Sequence, residues 1–145
     1  MFQLFDRVAE ERIWIGTEPG YDRALCRRQW ERWLDDPRFY LTVALDGNTL
    51  VGCLNIVPDP DGFEVGMLVA NEYRNRGIGT ALLHDAFCWA RAHEVKVLHL
   101  NVFPHNLAAR ALYAKMGFIE VEKQLARIRR RNGEVWDVIR MRRDL

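Results

Sequence analysis

The sequence predicts an α/β domain on a mixed, mostly antiparallel sheet with helices on both faces, and three observations carry that reading. Two β-rich runs, Phe39 to Leu45 and Leu50 to Val57, are separated by Asp46-Gly47-Asn48, a short hairpin signal. A third run, Phe63 to Val69, passes through a basic, glycine-containing turn into an apolar helical stretch, Gly77 to His93, and on to a buried strand, Val95 to Val102. Phe118 to Arg130 and Glu134 to Met141 flank Asn132-Gly133, a dipeptide suited to a type I′ turn.

Taken in order, residues 2 to 13 read as a weak helix. Tyr21 to Leu34 reads as a stronger one, with Leu25, Cys26, Trp30, Trp33 and Leu34 at helical spacing and Asp35-Asp36-Pro37 ending it. The second β-run stops at Pro58-Asp59-Pro60-Asp61-Gly62, so the first three runs form an antiparallel meander. Ile78, Leu82, Leu83, Ala86, Phe87, Trp89 and Ala90 cover more than one helix face, as expected for a helix lying on a sheet. A strand, that helix and a further strand make a βαβ unit with a right-handed crossover and parallel strands. Asn106 is a good N-cap for Leu107 to Lys115, and Gly117 fits the position that closes a helix.

Length and composition bound the function. With 145 residues the chain is sized for one domain, 1–145, and so for one active site. A hydrophobic share of 49% and a charged share of 28% exclude a disordered or fibrous class. Apolar runs fall well short of the roughly 20 residues that span a bilayer, and Met1 to Asp6 has no features of a secretory signal, so a cytoplasmic location is expected. The three cysteines, Cys26, Cys53 and Cys88, lie apart in apolar contexts and read as buried free thiols. A net charge of +1 argues against nucleic acid as the main ligand, and no metal-ligand pattern occurs.

The segment from Val69 to Leu83 carries the most chemistry: a strand, the basic turn Arg74-Asn75-Arg76-Gly77-Ile78-Gly79, and a helix start at Thr80. The first amides of a helix have no internal partner and the dipole leaves about half a positive charge there, so the turn suits a pyrophosphate. Gly77 and Gly79 permit close approach, Arg74 and Arg76 add charge-assisted bonds, and Thr80 adds a hydroxyl. The bland alternative is a solvated basic turn. A dinucleotide fingerprint would need Gly or Ala at Leu82, and the Gly-Lys-Ser/Thr of a P-loop is absent.

Arg74-x-x-Gly77-x-Gly79 after a strand, then Asn106, Tyr113 and Gly117-Phe118 in that order, resembles the GCN5-related N-acetyltransferase (GNAT) superfamily over residues 39 to 145. The resemblance implies a sheet whose two central parallel strands splay apart, with acetyl-CoA as co-substrate and no metal. It gives the pyrophosphate to Arg74, Asn75, Arg76, Gly77, Ile78, Gly79 and Thr80, the pantetheine to Met67, Leu68 and Val69, and places Asn106 and Tyr113 at the same ligand. Seven residues separate Asn106 from Tyr113, about 10 Å along one helix face.

By the same resemblance Tyr113 is the general acid for the departing thiolate; its alternative is a core tyrosine. An alkylamine of pKa near 10.4 is neutral only about 0.04% of the time at pH 7, so a base is useful. Glu64 is the first candidate, with His99 and Asp137 as substitutes. The oxyanion donor implied is the N–H of Leu68 or Val69. Glu10, Glu11 and Glu18 fall where relatives wall the acceptor site, and equally suit exposed helix charges. Arg127, Arg129, Arg130, Arg131, Arg140, Arg142 and Arg143 read either as a phosphate-binding patch or, preferably, as a solvated strand pair.

Relatives open with a complete strand, whereas here the helical pattern begins near Met1, so the first strand is expected to be short or missing; a bare sheet edge or a homodimer that covers it would follow. The tail from Arg131 to Val138 resembles members acting on amino acids or other small amines. The leading expectation is direct acetyl transfer to a small primary amine in a ternary complex. The alternatives are acetylation of protein N-termini and a non-catalytic CoA-responsive module, while RNA binding through the arginines would show as steep salt dependence.

Overall fold

In a computed structural model that describes residues 1–145, the chain runs α1 (Phe2–Glu10), α2 (Arg23–Leu34), β1 (Tyr40–Asp46), β2 (Thr49–Asp59), β3 (Gly62–Val69), a 3-10 turn (Asn71–Tyr73), α3 (Ile78–Ala92), β4 (Val97–Val102), α4 (Leu107–Lys115), β5 (Ile119–Arg129) and β6 (Val135–Asp144). The strands form one six-stranded sheet in the order β1-β2-β3-β4-β6-β5. Every neighbouring pair is antiparallel except β3 with β4. No strand precedes α1 within the chain, and β1 is an edge of the sheet.

Period-2 alternation sorts the strand side chains between two cores. Val65 of β3, Leu98 and Leu100 of β4, and Ile139 and Met141 of β6 meet Leu82, Leu83, Ala86, Phe87 and Ala90 of α3 and Tyr113 and Met116 of α4 in the main core. On the opposite face Leu4 and Val8 of α1 bury against Cys53 and Ala70, with Leu68 and Trp14 partly buried beside them. Complete burial of each such Leu, Val or Ile contributes roughly 1.5–3 kcal/mol, so α1 is fixed to the sheet by few residues.

Four expectations need correction. The apolar stripe of α2 does not reach a core: Leu25 and Leu34 are exposed, while Trp30 and Trp33 pack on each other and on Phe39, with ring centroids 5.3–6.1 Å apart. Only Cys53 is a buried thiol; Cys26 is half-buried and Cys88 exposed, although all three are free. At the last hairpin, of Asn132 and Gly133 only Gly133 has positive φ. Gly133 N–H donates to Arg130 O and Arg130 N–H to Glu134 O, giving a type I turn closed by a left-handed glycine rather than type I′.

The arginines of that hairpin are not uniformly solvated: Arg127 and Arg129 are exposed, but others are bound within the chain. Arg130 is 4% exposed and donates to the carbonyls of Arg12, Ile15 and Gly16. Arg131 donates to those of Pro19 and Gly20, Arg142 pairs with Asp144, and Arg143 binds Met116 O. Backbone carbonyls without a ladder partner in the connection from α1 to α2 attract these long donors.

Candidate active site

β3 and β4 share only two rungs, Phe63 opposite Leu98 and Glu64 opposite His99. Beyond Glu64 the strands part, so the gap opens toward Val69 on one side and Val102 on the other. Ala70 N–H donates to Val51 O at 2.9 Å. By ladder alternation the peptide groups of Val69 therefore face the gap, and those of Leu68 face β2.

The turn that follows β3 is shaped by left-handed residues. Asn75 (φ 60°) and Gly77 (φ 81°) flank Arg76, and Gly77 stands at the N-cap of α3 with no side-chain cap. Alternation of this kind turns successive amides into one concavity, and the helix behind it adds its positive end. A Cβ on Gly77 would meet nothing within 4 Å, so the surface there is open to a ligand. On Gly79 a Cβ would lie 2.9 Å from Leu112 Cδ2 and 3.4 Å from Met67 Cε, so that glycine lets α3 start directly against β3 and α4. The residues thus fit a pyrophosphate followed by an extended arm. Arg76 lies over the Tyr73 ring at 5.2 Å, and Tyr73 in turn donates to Asp46.

Arg74 is placed otherwise than the sequence suggests. Its guanidinium binds both oxygens of Glu11 at 2.6 Å and donates from Nε to Val69 O at 3.0 Å. Trp14 lies 5.4 Å from its Cζ and donates from Nε1 to Glu11 at 2.6 Å. Burial alone would push the Glu11 carboxyl up, but the bonds from Arg74 and Trp14 outweigh it and hold the group below the usual carboxylate range.

Asn106 caps α4, accepting from Ala109 N–H at 3.2 Å, which leaves its amide nitrogen for another partner. Tyr113 is 8% exposed, and burial alone pushes its phenol to about 12. Tyr21, Tyr40 and Tyr73, by contrast, each donate to a carboxylate.

Of the three bases weighed, two are engaged elsewhere. His99, 4% exposed, holds Asp61 O through Nε2 and accepts from Arg140 Nε through Nδ1, while Arg140 pairs with Asp59. Neither ring nitrogen is left for a substrate proton. Asp137 accepts from Ala126 N–H at a bulge of β5 and pairs with Lys123. Glu64, on the last rung before the gap, keeps its place as the candidate.

An aromatic group that no sequence pattern announced lies beyond the end of β4. Phe103 stacks on His105 at 5.3 Å, Trp136 meets both at 5.0 Å, and Trp14 approaches His105 at 6.4 Å. His105 Nε2 is 2.6 Å from Ile13 O. Residues 11–16 are thereby tied to both sides of the open gap. Apart from Phe103–His105 these pairs are remote in sequence, so no local spacing could have marked the group.

Residues 3–118 match the acetyltransferase (GNAT) family. The N-alpha-acetyltransferase RimI of Mycobacterium tuberculosis is 34% identical over 142 residues, covering 93% of this chain and 82% of that protein. Streptothricin acetyltransferase A of Bacillus subtilis is 30% identical over 132 residues, covering 81% of this chain and 74% of that protein. The solved ribosomal-protein-alanine N-acetyltransferase of Brucella melitensis superposes with a TM-score of 0.86 at 26% identity, over 99% of this chain and 91% of that one.

Proposed function

The chain belongs to the GNAT family of acetyltransferases, and on that premise we propose that it moves an acetyl group from acetyl-CoA to a small primary amine by direct attack in a ternary complex. The observation that carries the proposal is the strand gap, which ends at Glu64 and opens beside the amide concavity at Asn75–Gly77. In this reading the pyrophosphate takes the amides from Asn75 to Thr80 with the Arg76 charge, and the pantetheine lies along Met67, Leu68 and Val69 beside Asn106. Glu64 accepts the ammonium proton, directly or through water, and the freed amine attacks the thioester carbon. The Val69 N–H, the one of the two that faces the gap, donates to the developing oxyanion. As the C–S bond breaks, Tyr113 gives its proton to the thiolate. A phenol that burial keeps protonated and that donates to no carboxylate suits that step.

The small-amine acceptor is supported by the likeness to streptothricin acetyltransferase A. A second reading, transfer to a protein N-terminus, is favoured by the likeness to RimI. Calorimetry with acetyl-CoA, beside an Arg76→Glu/Gly77→Asp variant, tests the donor site. Thiol release with a panel of amino acids, polyamines and alanine-initiated peptides then tests the acceptor. Micromolar donor binding lost in the variant, with turnover of a small amine, is expected; turnover of the peptides alone selects the second reading.

A further inference from the structure

Arg74 stands in the turn that the family resemblance assigns to the donor, yet its side chain is spent on Glu11, Asn71 and the end of β3. Four bonds, two to Glu11, one to Val69 O and one to Asn71, use all but one of the five N–H groups of a guanidinium. The paired carboxylate also cancels the charge an anion would need. Both partners are about one-quarter exposed, with side-chain exposures of 25% and 23%, which sets the pair apart from a freely solvated one.

What the pair holds is the segment 11–16. Glu11 and Trp14 fasten it to Arg74 and so to the end of β3. Ile13 O fastens it to His105, one residue before the cap of α4. Arg130 fastens Arg12, Ile15 and Gly16 to the β5–β6 hairpin. The strap therefore crosses the open end of the strand gap on the α1 face, the face that Glu64 shares by alternation with Leu68.

We infer that Arg74 is a positioning residue for the acceptor amine, holding the 11–16 strap across the mouth of the gap through Glu11, and is not a ligand of the acetyl-CoA pyrophosphate. The inference rests on the acetyl-transfer reading given above. Loss of either partner releases the β3 end of the strap while the His105 and Arg130 anchors remain, so the acceptor meets a loosened wall while the amide concavity at Asn75–Gly77 stays intact.

The test compares native protein with Glu11→Gln, Arg74→Gln and the exchanged pair Glu11→Arg/Arg74→Glu. Three quantities are read: the acetyl-CoA dissociation constant by calorimetry, amide hydrogen exchange of residues 11–16, and KM and kcat with L-lysine and an alanine-initiated hexapeptide as acceptor probes. Each single variant is expected to speed exchange of the strap and raise acceptor KM by about tenfold, with kcat and the acetyl-CoA constant within about threefold; the exchanged pair should recover much of both. The inference is overturned if Arg74→Gln weakens acetyl-CoA about tenfold while Glu11→Gln leaves binding and strap exchange at native values. If the native protein turns over neither probe, the acceptor reading fails by itself, and the exchange and calorimetric arms still decide the role of Arg74.

Discussion

Glu64 stands directly opposite His99 in the last rung that joins the two parallel strands. The two side chains are treated very differently. His99 is enclosed between Asp61 and Arg140, and Arg140, which donates to its Nδ1, is itself paired with Asp59. The rung thus separates a histidine held on both ring nitrogens from the Glu64 side chain at the apex of the gap.

Tyr113→Phe should lower kcat by about 10²–10⁴ while acetyl-CoA affinity holds, as read by thiol release and calorimetry. Because burial raises the phenol to about 12, its stabilising contribution is complete below the unfolded value near 10 and is lost as pH rises through about 12. The variant should therefore resist alkaline unfolding better than the native protein, and no difference between them should appear below pH ~9.

Gly79→Ala places a Cβ 2.9 Å from Leu112 Cδ2 and should cost about 1–3 kcal/mol in urea unfolding. Adding Leu112→Ala should recover part of that loss of fit. Gly77→Ala has open space but positive φ, so its cost, about 1–2 kcal/mol, should show no coupling to Leu112. A double-mutant cycle in which both glycines couple equally to Leu112 would contradict this account.

Direct attack needs no thiol nucleophile. Burial pushes the Cys53 thiol up to about 11, far from a reactive thiolate. Iodoacetamide should label Cys88 fastest and spare Cys53 in the folded protein. A Cys26→Ala/Cys53→Ala/Cys88→Ala variant should keep kcat within about threefold; abolition of turnover in a folded triple variant would require an acyl-cysteine instead.

Arg130→Met removes a buried cation whose bonds hold Arg12, Ile15 and Gly16 and whose Cζ lies 4.2 Å from the Trp136 ring. Glu18, 3.4 Å from Arg130 Nε, loses its charge partner and keeps the Arg131 N–H at 2.9 Å. Breaking such a pair from one side costs about 3–5 kcal/mol, so a large fall in the urea midpoint is expected. Glu18→Gln/Arg130→Met should be less damaging than the single change.

The elements that local physics dictates were legible in the chain itself. The β-rich runs, the Asp46-Gly47-Asn48 turn, the Asn106 cap and the glycine turn before α3 each depend on residues within a few positions of one another, and the structure realises them within about three residues. Spacing also sufficed for the family, because the glycine turn, Asn106, Tyr113 and Gly117-Phe118 follow one another in the order the resemblance requires. Tertiary structure alone decided which charges are free. Arg74 meets Glu11 across 63 residues and Arg130 reaches Ile15 across 115, and the α2 stripe is periodic yet finds no sheet to cover. Periodicity states which side of an element is apolar; only chain packing determines what that side meets, and only then can an arginine in a binding motif be recognised as already paired.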